Sequence, residues 1–393
     1  MADPKEWTET VKQSAGVKRL VLTQFRNHSR LDLDLEPMPI CLVGPNGAGK
    51  TNILEALTVL GPGRGLRGAE LDDMARDGVD GGPWAVAASL VSDGVESRIG
   101  SGLERNNDGS TKRVARLDGR SATPGDLARA VRLVWLTPAM DRLFAGPAGD
   151  RRRFLDRLAS AAEPEHSNAN SQYEKALRER SRLLEEPNPD KRWLSSLEAE
   201  AASHGVAVAA ARVETVNALQ SVIDRRPDGA FPKADLALEG TVETDLAVGM
   251  TFGDAEDAFS QRLHAARARD ASAGRALDGP HRSDLLATHR AKAEPAGRCS
   301  TGEQKALIVG LILAHARRLA STGKAGGIRA NPLVLIDEAG AHFDAVRRAA
   351  LAEELLALPG QAWLTGTEAS LFEAFGDRAA LFEISAGSAR RRR

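Results

Sequence analysis

The sequence predicts an α/β protein in which a mixed β-sheet lobe is interrupted by an inserted, mainly helical lobe. Three observations predict it. Strand-like segments stand at both ends of the chain, while the middle is rich in Ala, Glu, Leu and Arg. The glycine-rich GPNGAGKT, Gly44 to Thr51, sits between apolar ICLV and amphipathic NILEALTVL, the strand–loop–helix order of a phosphate-binding loop. PLVLIDE, ending in Asp337 and Glu338, reads as a buried strand that delivers acids to the edge of a sheet.

The elements follow in order. VKRLVLTQF (17–25) and LDLDLEPMPICLV (31–43) alternate and then run apolar, as strands do. WAVAASLVSD and VESRIG form a second pair within residues 84–100, and ERNNDGSTKRVARLDGRS is a hairpin around a polar, Gly-containing turn. VRLVWL (131–136) is a short buried strand stopped by Thr137-Pro138. From Asp150 to about Asp224 the composition is helical, broken by glycine only at Gly205. ADLALEGTV and ATHRAKAEP read as strands returning around a helix spanning 255–271. GEQKALIVGLILAHARRLA is a strong helix, and PLVLID, AWLTGT (362–367) and AALFEIS (379–385) complete the sheet. The tail Arg390 to Arg393 reads as disordered, and no internal repeat is visible. The lobe boundaries fall at 1–137 with 285–393 for the sheet lobe and 138–284 for the helical one.

Composition narrows the function. With 393 residues and 42 % hydrophobic content the chain can build two lobes. The formal net charge of −1 gives no global pull toward nucleic acid, so such binding must come from local basic patches. Cys41 and Cys299 are the only cysteines and supply neither a disulfide framework nor zinc-ligand spacing, which suits a reducing cytoplasm. MADPKEWTETVKQSAG carries no apolar stretch of the secretory kind, and no uncharged run approaches the ~20 residues that span a bilayer. The expectation is a soluble cytoplasmic protein with no membrane role.

G-x-x-x-x-G-K-[ST] is matched in full by Gly44, Gly49, Lys50 and Thr51, with Pro45, Asn46, Gly47 and Ala48 inside the loop and Asn52 following it. Backbone N–H groups must curl around anionic oxygens there. Glycine supplies the angles and removes obstructing side chains, and the helix beginning near Lys50 adds its N-terminal partial charge. Lys50 is placed to reach terminal phosphates, and the Thr51 hydroxyl to hold Mg²⁺ together with Asp337. Glu338, next in line, is placed to accept a proton from an attacking water or to orient it; an acid directly after the metal-binding Asp favours hydrolysis over phosphoryl transfer to another acceptor.

Ser300-Thr301-Gly302-Glu303-Gln304 precedes the strong helix and resembles the S-G-G-Q signature of the ATP-binding-cassette family. In that family the segment caps the γ-phosphate bound by a second subunit. Here the resemblance implies Ser300, Gly302 and Gln304 as trans contacts to ATP. Ser300-x-x-Glu303 is equally a capping box for the helix's own orphan N–H groups, and the two roles are compatible. Ala341-His342-Phe343-Asp344 resembles the family's D-loop, whose acid, here Asp344, lies across the dimer interface. Two family features have no counterpart. No His follows His342, leaving Thr365 and Thr367 at the switch position, and no Gln lies between Gln24 and Gln172. Both absences point away from transporter cassettes.

Further elements carry a closer resemblance. Phe25-Arg26-Asn27-His28, Arg64-Gly65-Leu66-Arg67, the run GPAGDRRRFLD (146–156), YEKALRER (173–180) and DGPHRSD (278–284) are similar to elements of the RecF family of bacterial recombination mediators. The resemblance spans about 17–385; the segment ahead of it is unlike the family. It implies a structural-maintenance-of-chromosomes type ATPase head without a long coiled coil. It further implies ATP and Mg²⁺ as cofactors, an ATP-dependent homodimer, and binding to duplex DNA, gapped DNA or single-strand/duplex junctions. The family loads RecA with RecR and RecO in gap repair, replication restart and the SOS response. Arg64, Arg67, Arg151 and Arg152 are the candidate DNA contacts, with Arg153, Arg178, Arg180, Arg182, Arg262, Arg267 and Arg269 possible on one helical face. Interleaved Glu174, Glu179, Asp150 and Asp156 fit an ion-paired solvated face as well. Aromatic residues total 4 %, which favours backbone contact over base stacking. The runner-up, a transporter's energy-coupling subunit, lacks the glutamine loop and the switch histidine; a coiled-coil chromosome head has no room for its heptads; a small-molecule kinase is disfavoured by the trans signature.

Overall fold

The computed structural model describes residues 15–76, 82–92, 94–106, 108–322, 332–340 and 343–392. It divides into two compact units, one of Met1–Asp141, Val222–Pro232 and Thr301–Arg393, the other of Arg142–Ser221 and Lys233–Ser300.

In the first unit, β1 (Gly16–Phe25) and β2 (His28–Asp34) form an antiparallel pair. β1 points Leu20 and Leu22 inward and Arg19 and Thr23 outward, the period of two that fixes register, and buries Phe25 at its end. β3 (Ile40–Val43) is buried at every position, as a strand inside a parallel sheet must be. It runs through the phosphate-type loop into α1 (Lys50–Thr58). β4 (Trp84–Ser92), β5 (Val95–Arg105), β6 (Thr111–Leu117) and β7 (Arg120–Ser121) continue the antiparallel sheet in the order β2-β1-β4-β5-β6-β7. α2 (Pro124–Ala130) was not read from the sequence. Its signal was present in Thr123-Pro124-Gly125-Asp126: the Thr123 side chain and Asp126 form a reciprocal capping box with proline at the start. β8 (Arg132–Leu136) follows.

The second unit opens with α3 (Ala148–Ala162), α4 (His166–Leu184) and α5 (Lys191–Arg225), the last residues of which belong to the first unit. β9 (Ala234–Glu239) pairs antiparallel with β10 (Asp284–His289), and β10 with the short β11 (Glu294–Pro295). Between them lie α6 (Thr241–Ala247), α7 (Phe252–Ala265) and α8 (Arg267–Ala273). Residues 285–300 thus belong with the helical unit rather than the sheet lobe, because β10 finds its partners in β9 and β11. The single helix expected over 255–271 is two, divided at Ala266. By length and composition α5 could cross a membrane. It is instead a core helix: Ala201, Val208, Ala209 and Leu219 are buried, and a buried Arg212 sits ion-paired in its middle.

The first unit closes with α9 (Thr301–Thr322), β12 (Pro332–Ile336), α10 (Ala345–Leu356), β13 (Gln361–Gly366), β14 (Ala380–Ser385) and β15 (Ser388–Arg391). The second sheet of this unit runs β15-β14-β3-β13-β12-β8, parallel throughout except for β15. The tail expected to be disordered is therefore strand as far as Arg391, held by Arg391–Glu36 and Arg392–Glu383 ion pairs that alternation alone did not reveal. One apolar cluster, including Leu20, Phe25, Ile53, Leu57, Trp363 and Ile384, joins α1 to both sheets of this unit. Each such side chain fully buried contributes about 1.5–3 kcal/mol, so the loop between β3 and α1 hangs from two well-fixed elements.

Candidate nucleotide site

The loop between β3 and α1 curls because its glycines take angles that side chains resist. Gly47 has φ 79° and Gly49, which caps α1, φ 107°. A Cβ on Gly49 would stand 2.6 Å from the Asn27 amide and 2.8 Å from His28 Nε2. Those two residues brace the loop from below. Asn27 Nδ2 donates to the Ala48 carbonyl (3.1 Å), and Asn52 Nδ2 donates to Asn27 Oδ1 (2.7 Å). The buried His28 ring donates from Nδ1 to the Gly387 carbonyl (2.7 Å), with Nε2 3.3 Å from the Gly49 carbonyl. The Phe25–His28 element, singled out only as a family mark, is the loop's floor.

The loop opens on a cleft of ≈ 390 Å³ whose lining includes Asn46, Lys50, Thr51, Asp337, Glu338 and Thr367. Lys50 Nζ donates to the carbonyls of Gly44 (2.7 Å) and Pro45 (2.9 Å). Burial pushes its pKa down, and the charges of Asp337 and Glu338 pull it partly back. The parallel register of β3, β13 and β12 carries Asp337 to the same sheet end. There the Thr51 hydroxyl lies 2.9 and 3.0 Å from its two carboxylate oxygens. Thr365, at the end of β13, is wholly buried and touches both acids. Its hydroxyl donates to Asp337 Oδ1 (2.6 Å) and accepts from the Glu338 N–H (2.8 Å). Glu338 has φ 53°, a left-handed angle unusual for a residue with a side chain. The N–H bond to Thr365 fixes that turn, which leaves the Glu338 side chain exposed at the cleft.

Arg67 also lines this cleft. It donates to Glu55 Oε2 (2.5 Å) and Asn52 Oδ1 (2.9 Å), and Arg26 clamps both oxygens of the same buried Glu55 (2.8 and 2.9 Å). Arg67, read from the sequence as a DNA contact, stands among the residues that line this cleft. Its partner Glu55 sits within the apolar helix NILEALTVL, where nothing local marks it as an acceptor. Arg64 is exposed and pairs with exposed Glu70.

The signature residues lie elsewhere. Gly302 and Gln304 belong to the unit that holds the cleft but are not among its lining residues, and Gln304 is buried; Ser300 is the last residue of the other unit. Asp344 caps α10, accepting from the Arg347 N–H at 2.8 Å. Ala341 and His342 lie outside the described residues.

The motifs most specific to the resemblance build the helical unit. Gly279 has φ 126°, and a Cβ there would meet the Tyr173 hydroxyl at 2.4 Å. Tyr173 Oη lies 2.8 Å from His281 Nδ1, while His281 Nε2 donates to the Ala276 carbonyl (2.9 Å). Arg212 donates to both oxygens of Asp156 (2.8 and 2.9 Å), which also meets His166 Nε2 (2.9 Å). Burial pushes the Asp156 pKa up, but hydrogen bonds and charge from His166 and Arg212 outweigh it and bring the carboxyl to about 2. Two of the DNA candidates have partners within this unit. Arg151 makes a bidentate pair with Asp284 (2.7 Å twice) and donates to the Gly146 carbonyl. Arg152 donates to the Ser283 carbonyl at 2.7 Å. Arg180 is completely buried between Glu198 and Asp270. A helical period places charges on a face but does not say which already have partners.

A parallel sheet with this loop after β3, an Asp–Glu pair after β12 and an antiparallel sheet beside it define an ATPase head of the ABC/SMC type. The family model described as the RecF/RecN/SMC N terminal domain matches residues 16–372. The chain belongs to the RecF family. It is 48 % identical over 374 residues to the DNA replication and repair protein RecF of Mesorhizobium japonicum, covering 95 % of this chain and 97 % of that one. Against the protein of the same name from Caulobacter vibrioides the identity is 49 % over 376 residues, covering 93 % and 95 %. Among solved structures, the recombination mediator protein RecF-ATPrS in the RecFOR pathway superposes with TM-score 0.81 at 20 % identity, covering 98 % of this chain and 100 % of that one. An Smc head domain from Pyrococcus furiosus gives 0.51 at 16 % identity, covering 96 % of each chain. At those identities the likeness concerns the fold.

Proposed function

We propose that the chain is an ATP-operated DNA-binding switch of the cytoplasm. Two copies close over two ATP molecules, hold duplex or gapped DNA while closed, and release it after slow hydrolysis. In this role it helps load RecA with RecO and RecR during gap repair, replication restart and the SOS response. Support comes from the family, whose relatives are named for replication and repair, and from the solved structure of like fold described with ATPrS. The observation that carries the reading is the single Thr365 hydroxyl that fixes both acids opposite Lys50 and Thr51.

Each residue then has one task. Lys50 exchanges the Gly44 and Pro45 carbonyls for terminal phosphate oxygens. The residues fit Mg²⁺: the Thr51 hydroxyl and Asp337 carboxylate are hard oxygen donors already side by side, and this ion takes one or two protein ligands and completes its shell with water and phosphate. No group of three acids, histidines or cysteines able to hold a metal alone occurs among the described residues. When bound, the ion supplies charge neutralisation on the phosphates. Glu338 accepts the proton of the water that attacks the γ-phosphorus, and ADP leaves with the bridging oxygen. Ser300, Gly302 and Gln304 at the start of α9, together with Asp344 at the start of α10, close over the nucleotide of the partner copy, a helix-end contact suited to an anion.

The test is Glu338→Gln. It removes the proton acceptor and keeps the shape, so with ATP the variant should accumulate as a dimer by light scattering while hydrolysis falls by about 100-fold or more, the range of a lost general base. A variant that stays monomeric with ATP contradicts the switch.

A further inference from the structure

We infer a polyanion site in the helical unit, in a groove of ≈ 510 Å³ where Arg182, Arg275 and Arg282 converge. The inference rests on the DNA-binding reading above and names the surface that serves it. The three arginines come from three separate segments: the last turn of α4, the loop after α8 and the turn Pro280–Arg282. All three are exposed. Among the described residues they have no acidic partner within ion-pair distance, although Arg151, Arg180, Arg212, Arg262 and Arg267 of the same unit all do. Three like charges gathered in one groove repel one another, and an anion between them relieves that repulsion. Arg178 and Glu174 also line the groove, in a long 3.6 Å pair, and Glu185 lines it too, so the four arginines outnumber the two carboxylates.

The groove is built on rigid parts. Arg282 directly follows His281, which is locked between Tyr173 and the Ala276 carbonyl. The positive field is felt there: His281 is held below its ordinary pKa first by burial and then by Arg282 and Arg152. The chemistry of the lining selects the ligand. Guanidinium groups match phosphate oxygens with paired N–H donors. Leu177 and Ala276 are the apolar lining, and no Phe, Tyr or Trp lines the groove. An acidic peptide would find little to anchor a hydrophobic side chain, and a single strand would find only the His281 ring, held by hydrogen bonds at both nitrogens. The ligand is the phosphodiester backbone of DNA, bound without regard to sequence.

The experiment titrates a fluorescein-labelled mixed-sequence duplex with full-length protein and ATP at several salt concentrations. The wild type is compared with the triple variant Arg182→Gln, Arg275→Gln, Arg282→Gln. Three lost phosphate contacts should reduce the slope of log affinity against log salt by about 2–3. Thermal melting and ATP hydrolysis without DNA should stay at wild-type values, and the matching Lys triple should restore most of the slope. A wild-type slope in the Gln variant overturns the site, even if that variant loses an acidic protein partner, and leaves the DNA-binding reading standing. A wild-type protein that does not bind the duplex overturns both.

Discussion

One hydroxyl, that of Thr365, sits between the two acids to which the proposed hydrolysis is assigned. It is buried, satisfies Asp337 Oδ1 and holds the N–H of Glu338 in a left-handed turn. Replacing it by the near-isosteric Val removes both bonds and leaves the part-buried Glu338 N–H without its acceptor, a cost of about 1–3 kcal/mol. Thr365→Val should therefore lower kcat by about 10–100-fold and change ATP affinity much less, since Lys50 and the loop are untouched; steady-state kinetics with a fluorescent-nucleotide titration separates the two. An equal loss in both would mean that Thr365 serves binding rather than positioning. The sequence offered Thr365 and Thr367 alike for this place. They separate only in the folded chain, where Thr365 lies within β13, buried beneath the acids, and Thr367 lies just past the end of that strand, exposed on the cleft. The loop residues were legible because glycine, lysine and threonine at fixed spacing serve few other purposes. Arg67 was not, because its acceptor Glu55 is a buried carboxylate on α1 that it shares with Arg26, a pairing that no local pattern announces.

Among the elements, helices α3, α4 and α5 carry their charges inward as well as outward. Asp156 on α3 meets His166 on α4 and Arg212 on α5. The buried Arg212 also reaches Glu243 and the Pro280 carbonyl. Removing one partner of such a set strands the others. Asp156→Asn should cost about 3–5 kcal/mol, read as a lower midpoint in urea unfolding. The pH dependence has a definite sign. The folded pKa lies below the unfolded one, so the ionised carboxyl's contribution is fully present above about pH 4 and is lost as pH falls toward about 2. The gap between wild type and Asp156→Asn should narrow across that window, and a gap that widens there would contradict the pairing. Helical composition announced these helices. It did not distinguish Arg180, sealed between Glu198 and Asp270, from exposed Arg182 two residues later.

At the scale of the whole molecule, the proposed assembly makes a prediction that no single chain can mimic. Lys50→Ala disables the loop of its own site, and Ser300→Arg would disable the site of its partner. Each protein alone should be inactive. In a mixed dimer one of the two sites combines an intact loop with an intact Ser300, so mixing should restore hydrolysis above the sum of the separate proteins. If each chain instead supplied its own Ser300, every site would remain broken and mixing would restore nothing. The assay is ATP turnover against mixing ratio.

The sequence by itself determined the sheet lobe with its phosphate-type loop, the acid pair after β12, the helical insertion and the family, because periodicity and local motifs are written in neighbouring residues. Tertiary structure alone decided which charges are available. Arg151, Arg152 and Arg180 were drawn into the fabric of the helical unit, Arg67 was brought to the nucleotide cleft, and Arg182, Arg275 and Arg282 gathered in one groove. It also decided that residues 285–300 join the helical unit and that the arginine tail is strand. The physical reason is common to all of these. An ion pair or a strand pairing depends on a partner far away in the chain, and only folding chooses that partner.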